Sequence, residues 1–589
     1  MRFQHLRVVV VGLASLALAA CGGGGGGHTS PPTAASITIV SGNNQTGVVG
    51  SALPTAIGVS VKDSAGRAVA AASVSWTVVA GGGSVTPATG TTDSGGLATT
   101  NWTLGGAPGA NRVTATAAGT TPVTFDAMAV AGTTASVTVT SPVQKIYEGD
   151  TVQLVATARD AAGNVLPGKS ATWASSNSQS FPVSVGGELK TWGYGPVTVT
   201  ASIDGIAGSL ALTIVRIELQ FTVGAKEVVL DYTTDRCADN ETPDGPARFV
   251  RAQDGSLVLF DGRSHVNRGA DFGTIKRDCS QPALVAALRT TADSYENAEM
   301  LWSVYREGDR WHTLLHNEFH DPIAATCQPG NPFPGNPCWY NSVTYAVSTD
   351  GARSFSKPGA PAHTVAPAPY AWVPPAPGVP ADSFVEGYFA PSNIVQGKDG
   401  YYYSFFMAIP FENWNQMQGL CVIRTRTLGD PASWRAWDGS GFNLRMTSPY
   451  VTGAAAPVCA FLGGFVIPSH LVYDTYLERY LAVATSPGHL DVNGRPTCGI
   501  FYALSADLVH WSGHRLLVEA SMPWCAADPS SPGLLEPVNV LYPSIVDHAD
   551  TTINFEKAGR TPYLYYVRFN GDNLDRDLMR VPLTFTRTN

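Results

Sequence analysis

Three observations predict that this chain is an all-β protein. Glycine and proline together make up 102 of the 589 residues, a content typical of many turns and little helix. Short apolar or alternating stretches stand between these turns, as in SITIV at residues 36–40. Similar phrases recur along the chain, which is typical of repeated β-units.

The composition excludes several classes of protein. Hydrophobic residues make up 44% of the chain and charged residues only 14%, against about 25% charged in average domains. Ample apolar content with few charges argues against disorder. The net charge of −9 gives no sign of the basic surface that nucleic-acid binding requires. We therefore expect a folded protein of several domains with no nucleic-acid partner.

Residues 1–21 read as an export signal, with a basic start and an apolar core too short to span a bilayer. The core ends in Leu-Ala-Ala-Cys at residues 18–21, which resembles the lipobox of bacterial lipoproteins. The resemblance implies lipidation at Cys21 and membrane contact through the lipid alone. Gly22 in place of Asp implies an outer-membrane lipoprotein of the cell envelope, exposed at the surface. Residues 22–34 are predicted to form a flexible linker.

Two all-β domains are predicted next, at residues 35–131 and 134–215. VSVKDSAGRAVAAASVSW, ending at Trp76, is similar to LVATARDAAGNVLPGKSATW, ending at Trp173, and a tryptophan on a central strand suits a sandwich core. The pair resembles the bacterial immunoglobulin-like repeats of surface adhesins and many secreted enzymes. Adhesion and spacing are both open as roles, and the scarcity of charges and aromatics here favours a spacer.

Residues 216–589 repeat a small-residue turn, an apolar strand, a polar turn and an aromatic-rich strand. Five such phrases predict five four-stranded units, and hence a five-bladed β-propeller, with a sandwich or jelly roll as the alternative. The phrases begin at Pro246, Ala298, Ala390, Pro468 and Pro543.

Some of these phrases resemble known propellers. PSIV (543–546) with PYLYYVRF (562–569), and SADLVHW (505–511), look like blades of the five-bladed propeller glycosidases, the clan of arabinanases, β-xylosidases and invertase-like enzymes. STDGARSF (348–355) looks like a degenerate sialidase Asp-box. We expect the aspartate in such turns to accept backbone N–H groups, and the aromatic residue to pack between blades.

The cysteines indicate an oxidising compartment. Apart from Cys21 there are eight, all beyond residue 236 and without CxxC spacing, so disulfides are expected and a zinc ribbon is not. Eight cysteines allow 105 connectivities. Pairing of nearest neighbours is our hypothesis, and Cys327–Cys338 is its shortest loop.

Asp244 is the first catalytic candidate. Residues at the starts of inner propeller strands converge on one pocket, and Asp244 directly precedes the first. Its position resembles that of the aspartate that opens the first blade in the glycosidase clan and acts as general base or nucleophile. Capping of a turn is the alternative. Arg248, on the same strand, could clamp a sugar carboxylate, or form an ion pair with Asp244.

His316, Glu318 and His320 share one face if their segment is a strand. Three interpretations stay open. Glu318 could be a general acid whose pKa burial raises, with His316 contacting the substrate. The three residues could bind a divalent metal. They could also be a hydrogen-bonded polar cluster beneath a loop.

Further candidates lie before or beyond the third inner strand. Glu386 precedes that strand and is the rival acid. Asn393, beside Ser392, stands where the clan carries an aspartate and is a candidate substrate contact. Trp372 and Trp414 lie in loop-like stretches and could stack on sugar rings.

Other residues in this region are given structural roles. His470 is predicted to make a hydrogen bond in the channel, and Arg568 and Asp577 a salt bridge. Four further aromatic residues could stack on sugars but fit the blade core better: Trp339, Tyr388, Tyr401 and Tyr402.

The sequence thus predicts a lipid-anchored, surface-exposed glycoside hydrolase that acts on a poly- or oligosaccharide by carboxylate acid/base catalysis. The alternative is a non-catalytic glycan-binding or adhesin lipoprotein. A metal-dependent propeller enzyme, such as a lyase or esterase, is the third hypothesis.

Overall fold

The computed structural model describes residues 32–238, 241–321, 338–374, 385–409, 419–453, 456–462, 469–490, 496–571 and 574–588. These residues are all-β, as predicted. The described helical segments are short: the α-helical turn Pro449–Thr452 and the 3-10 turns Ala292–Ser294 and Pro431–Ser433. Within the described ranges, no helix has the length and apolar character needed to span a membrane. The predicted signal segment with Cys21 lies outside them, as does Trp414.

The chain divides into two compact units. The first runs to Thr138 and includes Ala156–Thr172 and Ala201–Gly208, and the second comprises Val139–Val155, Trp173–Thr200 and all residues from Ser209. The predicted second sandwich therefore contributes residues to both units.

Between residues 32 and 138, nine strands of the first unit form two sheets. They are β1 Ser36–Ser41, β2 Gln45–Val48, β3 Ile57–Lys62, β4 Ser73–Ala80, β5 Ser84–Thr86, β6 Thr89–Thr91, β7 Leu97–Thr103, β8 Gly109–Ala117 and β9 Val123–Val130. The sheet orders are β1-β3-β7-β5 and β2-β9-β8-β4-β6. Alternating side chains form one core that includes Trp76, Trp102 and Phe125, so Trp76 is buried, as predicted.

Eight strands follow: β10 Ser136–Thr140, β11 Ile146–Tyr147, β12 Thr151–Gln153, β13 Val155–Arg159, β14 Thr172–Ser175, β15 Glu188–Lys190, β16 Gly195–Ile203 and β17 Ile206–Val215. Within the second unit, Ile146 pairs with Ile214 in a parallel ladder, and β12 pairs with β15 in an antiparallel one. Trp173 packs on the edge of the small core that contains Phe181.

The remaining strands are β18 Leu219–Val223, β19 Glu227–Leu230, β20 Arg248–Arg251, β21 Leu257–Phe260, β22 Asn267–Gly269, β23 Lys276–Arg277, β24 Met300–Glu307, β25 Arg310–His320, β26 Trp339–Ser348, β27 Thr364–Ala366, β28 Val385–Phe389, β29 Val395–Gln396, β30 Tyr402–Ile409, β31 Gly419–Thr425, β32 Arg435–Ala436, β33 His470–Asp474, β34 Arg479–Leu490, β35 Pro496–Ser505, β36 Arg515–Ser521, β37 Leu534–Val546, β38 Lys557–Ala558, β39 Tyr563–Phe569 and β40 Arg576–Arg587. In the described residues they form three sheets, of four, nine and ten strands.

These three sheets contain five antiparallel runs. Run 1 is β20–β23, run 2 is β24–β27, run 3 is β28–β32, run 4 is β33–β36, and run 5 is β37, β39 and β40 closed by β18. Parallel pairs join run 2 to run 3, through β26 and β28, and run 4 to run 5, through β36 and β37.

Five hydrophobic cores lie between the runs. Each contains buried residues of two successive runs, and the fifth joins run 5 back to run 1. Representative pairs, in order, are Val250 with Leu301, Val343 with Phe406, Phe405 with Leu471, Leu481 with Leu564, and Tyr565 with Phe249. Each run therefore shares a core with the next, and run 5 shares one with run 1.

A segment between β37 and β39, residues 547–558, contacts all four other runs; we call it the crossing segment. It accepts backbone N–H bonds from the inner strand of each: Arg251 to the Ile553 carbonyl (2.8 Å), Arg306 to Asn554 Oδ1 (2.7 Å), Gln396 to Glu556 Oε1 (2.8 Å) and Tyr473 to the Glu556 carbonyl (2.8 Å). The crossing segment therefore joins strands of the four other runs to one another.

Three of the four hypothesised disulfides are confirmed: Cys237–Cys279, Cys421–Cys459 and Cys498–Cys525. Cys338 is also disulfide-bonded, but Cys327 lies outside the described residues.

Candidate functional site

Two glycines bring Asp244 to its position before β20. The Asp244 backbone N–H donates to the carbonyl of Asp261 (2.9 Å), at the end of the neighbouring strand. Gly262 has φ +82°, and a Cβ there would lie 2.8 Å from the Gly245 nitrogen, so a larger residue would push the two segments apart. This close approach sets Asp244 beside Arg263.

Asp244 holds two arginines and one tyrosine. Its Oδ2 accepts a hydrogen bond from Arg263 (2.8 Å), and its Oδ1 pairs with Arg576. The Tyr542 hydroxyl donates to Oδ1 at 3.2 Å. Both oxygens are thus engaged, and the guanidinium heads of run 1 and run 5 are fixed side by side.

Glu318 lies on β25 between two histidines of the same strand face. The alternation of β25 places His316 Nδ1 3.8 Å from Glu318 Oε1, and His320 Nε2 3.5 Å from Glu318 Oε2. The side-chain amide of Asn341 lies 2.8 Å from His316 Nε2. If the amide donates, Nε2 accepts and the ring proton is on Nδ1, facing Glu318. The carboxylate remains 21% exposed.

These surroundings lower the pKa of Glu318. Burial on its own would raise the pKa, but the hydrogen bond from His320 and the charges of His316, His320 and Arg263 outweigh it. The prediction that burial would make Glu318 an acid with a raised pKa is therefore wrong. Desolvation lowers the pKa of His316, and the charge of Glu318 acts against this shift.

Several groups connect Asp244 with Glu318. Arg263 contacts Asp244, and its charge also acts on Glu318. Burial raises the pKa of Tyr542 well above its ordinary value, and both carboxylates raise it further. The Trp302 ring meets Tyr542 edge-on, at 5.9 Å between ring centroids. We call the following residues the carboxylate site: Asp244, Glu318, Arg263, Tyr542, Trp302, Arg576, His316 and His320.

The backbone is strained at this site. Tyr542 has φ +58°, a conformation that side chains other than glycine rarely adopt. The register of β37 against β39 shifts between Leu541 and Ser544, and the bulge turns Tyr542 toward Asp244. Outliers of this kind cluster at functional sites.

Arg248 and Asn393 were predicted to contact substrate but are used inside the fold. Arg248 does not pair with Asp244; its guanidinium donates to the backbone carbonyls of Trp302 (3.3 Å) and Ser469. Asn393 exchanges two hydrogen bonds with the backbone of Leu471, at 2.7 and 2.8 Å, and so joins run 3 to run 4.

Glu386 lies on the opposite face of the sheet from Glu318. In the β26 register Glu318 is opposite Asn341, whereas Glu386 is opposite the adjacent Tyr340. Because side chains alternate between faces, the structure does not bring Glu386 to the carboxylate site.

Trp372 lies on the Tyr340 side. Its indole Nε1–H donates to Asp321 Oδ2 (2.8 Å), and its ring packs 5.6 Å from that of Tyr340. Trp339 is an exposed aromatic residue next to the site, 5.9 Å from the His320 ring and 39% exposed.

The metal alternative at His316, Glu318 and His320 finds no support in the geometry. Among the described residues, no three His, Cys, Asp or Glu side chains are arranged to hold a metal ion. The two histidines approach different oxygens of Glu318, whereas shared ligation would direct them to one point.

Sequence reasoning missed Arg263, Arg576 and Tyr542. Arg576 adjoins Asp577, whose predicted salt bridge with Arg568 is present at 2.6 Å. Strand alternation directs Arg576 away from that pair and toward Asp244. The position of Arg576 next to the predicted ion pair was therefore the signal that could have identified it.

Comparisons with known proteins give no family. No protein-family profile matches the chain, and no curated protein is similar to it. Among solved structures, a protein of unknown function from Dyadobacter fermentans is 11% identical with a TM-score of 0.36, and the match covers 62% of this chain and 99% of that one. The RS223 β-xylosidase is 12% identical with a TM-score of 0.34, covering 62% and 96%. The Escherichia coli adhesin FdeC is 16% identical with a TM-score of 0.24, covering 49% and 93%. Likenesses this weak carry no argument about this chain.

Proposed function

We propose that runs 1 to 5 are the blades of a five-bladed β-propeller. The circle of five cores supports this architecture, because each core is shared by neighbouring runs and the last returns to the first. The crossing segment closes one end of the central axis, and the carboxylate site lies at the other end of the inner strands.

We propose that the carboxylate site hydrolyses a glycan. The observation that carries the proposal is that Asp244 and Glu318, from different runs, act on the same arginine and the same tyrosine. Two carboxyl groups across one pocket are what most glycoside hydrolases use.

Glu318 takes the role that needs a charged carboxylate. Its lowered pKa keeps it ionised. Two roles require this charge: a base that activates water, and a nucleophile that attacks the anomeric carbon itself. Asp244 supplies the second carboxyl group. Its oxygens contact Arg263, Arg576 and Tyr542, so a substrate must displace a donor before reaching it. Arg263 is the more exposed arginine, at 21%.

Trp339 supplies the sugar platform in this scheme. Its exposed ring beside His320 offers an apolar face on which the C–H face of a sugar can stack.

The rest of the chain suits presentation of this site at a cell surface. A lipid on Cys21 would anchor the protein in the outer membrane, and the linker with the two immunoglobulin-like sandwiches would space the propeller from it. This assignment rests on the sequence of residues 1–34 and on the sandwich core around Trp76.

A non-catalytic glycan-binding or adhesin function is the second candidate. Both oxygens of Asp244 are engaged, which favours this function. The role of a carboxyl group that pairs with two arginines can be limited to positioning them.

A polysaccharide panel tests the proposal. We expect the full chain to release reducing ends from at least one glycan, and Glu318→Gln to lose roughly 10²–10⁴-fold in turnover while still binding that glycan. Glu556→Gln is the matched control, since Glu556 lies in the crossing segment. Binding without turnover by the parent protein supports the adhesin function. Loss of turnover only in Glu386→Gln would show that the reaction takes place on the other face of the sheet.

A further inference from the structure

Arg248 is a buried cation without a counter-charge. Its side chain comes from the first residue of β20, and the residue is 2% exposed. No described carboxylate pairs with it. The nearest carboxylate in sequence, that of Asp244, pairs with Arg263 and Arg576 instead. Desolvation lowers the pKa of Arg248 to about 9. An isolated buried charge is strongly unfavourable unless something compensates it.

Two of the three guanidinium nitrogens of Arg248 are satisfied, and the third is not. Nε and Nη2 donate to the carbonyls of Trp302 and Ser469, which fixes the plane of the head group between run 2 and run 4. Nη1 is fully buried and has no hydrogen-bond partner among the described residues.

A second buried donor belongs to the residue after Ser469, whose carbonyl accepts from Arg248 Nη2. His470 follows Ser469 in the chain, is 4% exposed, and has a buried Nδ1 that also lacks a partner in the described part of the protein. The charge of Arg248 acts on this imidazole and helps to hold it neutral. A neutral imidazole can present its N–H on Nδ1.

We propose that Arg248 Nη1 and His470 Nδ1–H bind a small monovalent inorganic anion, such as a halide, between β20 and β33. Each of the two donors needs an acceptor, and a single negative charge neutralises the guanidinium where water would only solvate it. The almost complete burial of both residues suits a halide rather than a bulky ligand. This inference does not depend on the proposed function.

Bromide tests the site, because it is small and can be located by anomalous X-ray scattering. In the full chain, replacing sodium gluconate by sodium bromide at constant ionic strength should raise Tm saturably, by about 3 °C or more. Crystals grown in bromide should show one anomalous peak within hydrogen-bond distance of Arg248 Nη1 and His470 Nδ1.

Arg248→Met should abolish the bromide dependence. The matched control is Arg251→Met on the same strand, because Arg251 also donates to a carbonyl, that of Asp550 (3.1 Å), but is partly exposed. If Arg248→Met does not fold, His470→Phe should weaken the bromide response at least tenfold in midpoint concentration. A wild-type Tm without saturable bromide dependence, a peak refining as water, or stabilisation by glucuronate but not bromide would each overturn the proposal.

Discussion

At the residue scale, the surroundings of Glu318 decide what it can do. Burial and two histidines act on the same carboxyl group in opposite directions, and the histidines with Arg263 prevail. A sequence shows the His-x-Glu-x-His spacing, and strand alternation then predicts the shared face. It cannot show Arg576, because this residue is 332 residues from Asp244 along the chain. Long-range partners of this kind set the electrostatics of the site.

The lowered pKa of Glu318 predicts the acid side of the pH–rate profile. A base must be ionised, so activity should persist as pH falls through the ordinary glutamate pKa of 4.5 and decline only below it. The measurement is kcat/KM against pH on the best glycan of the panel. An acid limb with its midpoint at pH 5 or above would show that Glu318 is not the ionised group.

Asp474 predicts a pH dependence of stability. It is fully buried, and desolvation raises its pKa to about 7. The folded chain therefore holds a proton between pH 4 and 7 that the unfolded chain releases, so this residue's contribution is greatest below pH 4 and is lost as pH rises to 7. The unfolding free energy of the parent protein, measured in urea, should fall between pH 4.5 and 7.5. In Asp474→Asn this fall should be smaller by on the order of 2–4 kcal/mol.

Asp254→Asn is the control for that measurement. Asp254 is exposed, and the hydrogen bonds from Ser256 lower its pKa, so its contribution has the opposite sign. An unchanged pH slope in Asp474→Asn would contradict the assignment.

At the scale of elements, the recurring phrases predicted inner strands but not where every run begins. PARFV at 246–250 leads into β20, the first strand of run 1, because turn chemistry and strand alternation are local. Run 3 begins at Val385, before the phrase at Ala390, and Pro543 lies inside β37. The turns also behave as predicted. Asp350 accepts N–H bonds from Arg353 and Ser354, and Phe355 packs 6.2 Å from Phe260 of the preceding run.

The crossing segment was not predicted, because nothing local marks it. Its importance comes from contacts with strands that are distant in sequence, such as the bond between Arg306 and Asn554, 248 residues apart. A polar stretch between two strands is typical of an ordinary loop.

Asn554→Ala should destabilise the second unit. The Asn554 side chain accepts from the Arg306 N–H (2.7 Å) and donates to its carbonyl (3.1 Å), so truncation leaves two backbone groups of an inner strand unpaired. We expect a loss of about 1–3 kcal/mol in unfolding free energy. Asn443→Ala removes an exposed amide bonded to Asp438 and should cost less. Equal losses for the two variants would show that the crossing segment does not hold the inner strands.

At the scale of the whole molecule, a buried ion pair ties the N-terminal part of the second unit to its β-runs. Glu148, before β12, accepts from the Ile217 N–H (3.0 Å) and pairs with Arg515 at the start of β36. Both side chains are buried, at 4% and 8% exposed. Such a pair fixes geometry because each member is costly to leave alone.

A double-mutant cycle measures this coupling. Glu148→Ala should cost about 3–5 kcal/mol, because it leaves the Arg515 charge buried, and Glu148→Ala with Arg515→Met should cost less than the sum of the single variants. Additive losses in urea unfolding would show that the two residues act independently.

The central claim is that Glu318, as a base or as the nucleophile, drives attack on the anomeric carbon of a glycan. The most direct test is Glu318→Ala with sodium azide, because a small anion can occupy the vacated space and attack the anomeric carbon itself. The account predicts that an aryl glycoside substrate is turned over slowly by the variant alone and faster with azide, with a glycosyl azide as product. Full activity of Glu318→Ala, or failure of azide to yield that product while the parent protein hydrolyses the same substrate, would contradict it.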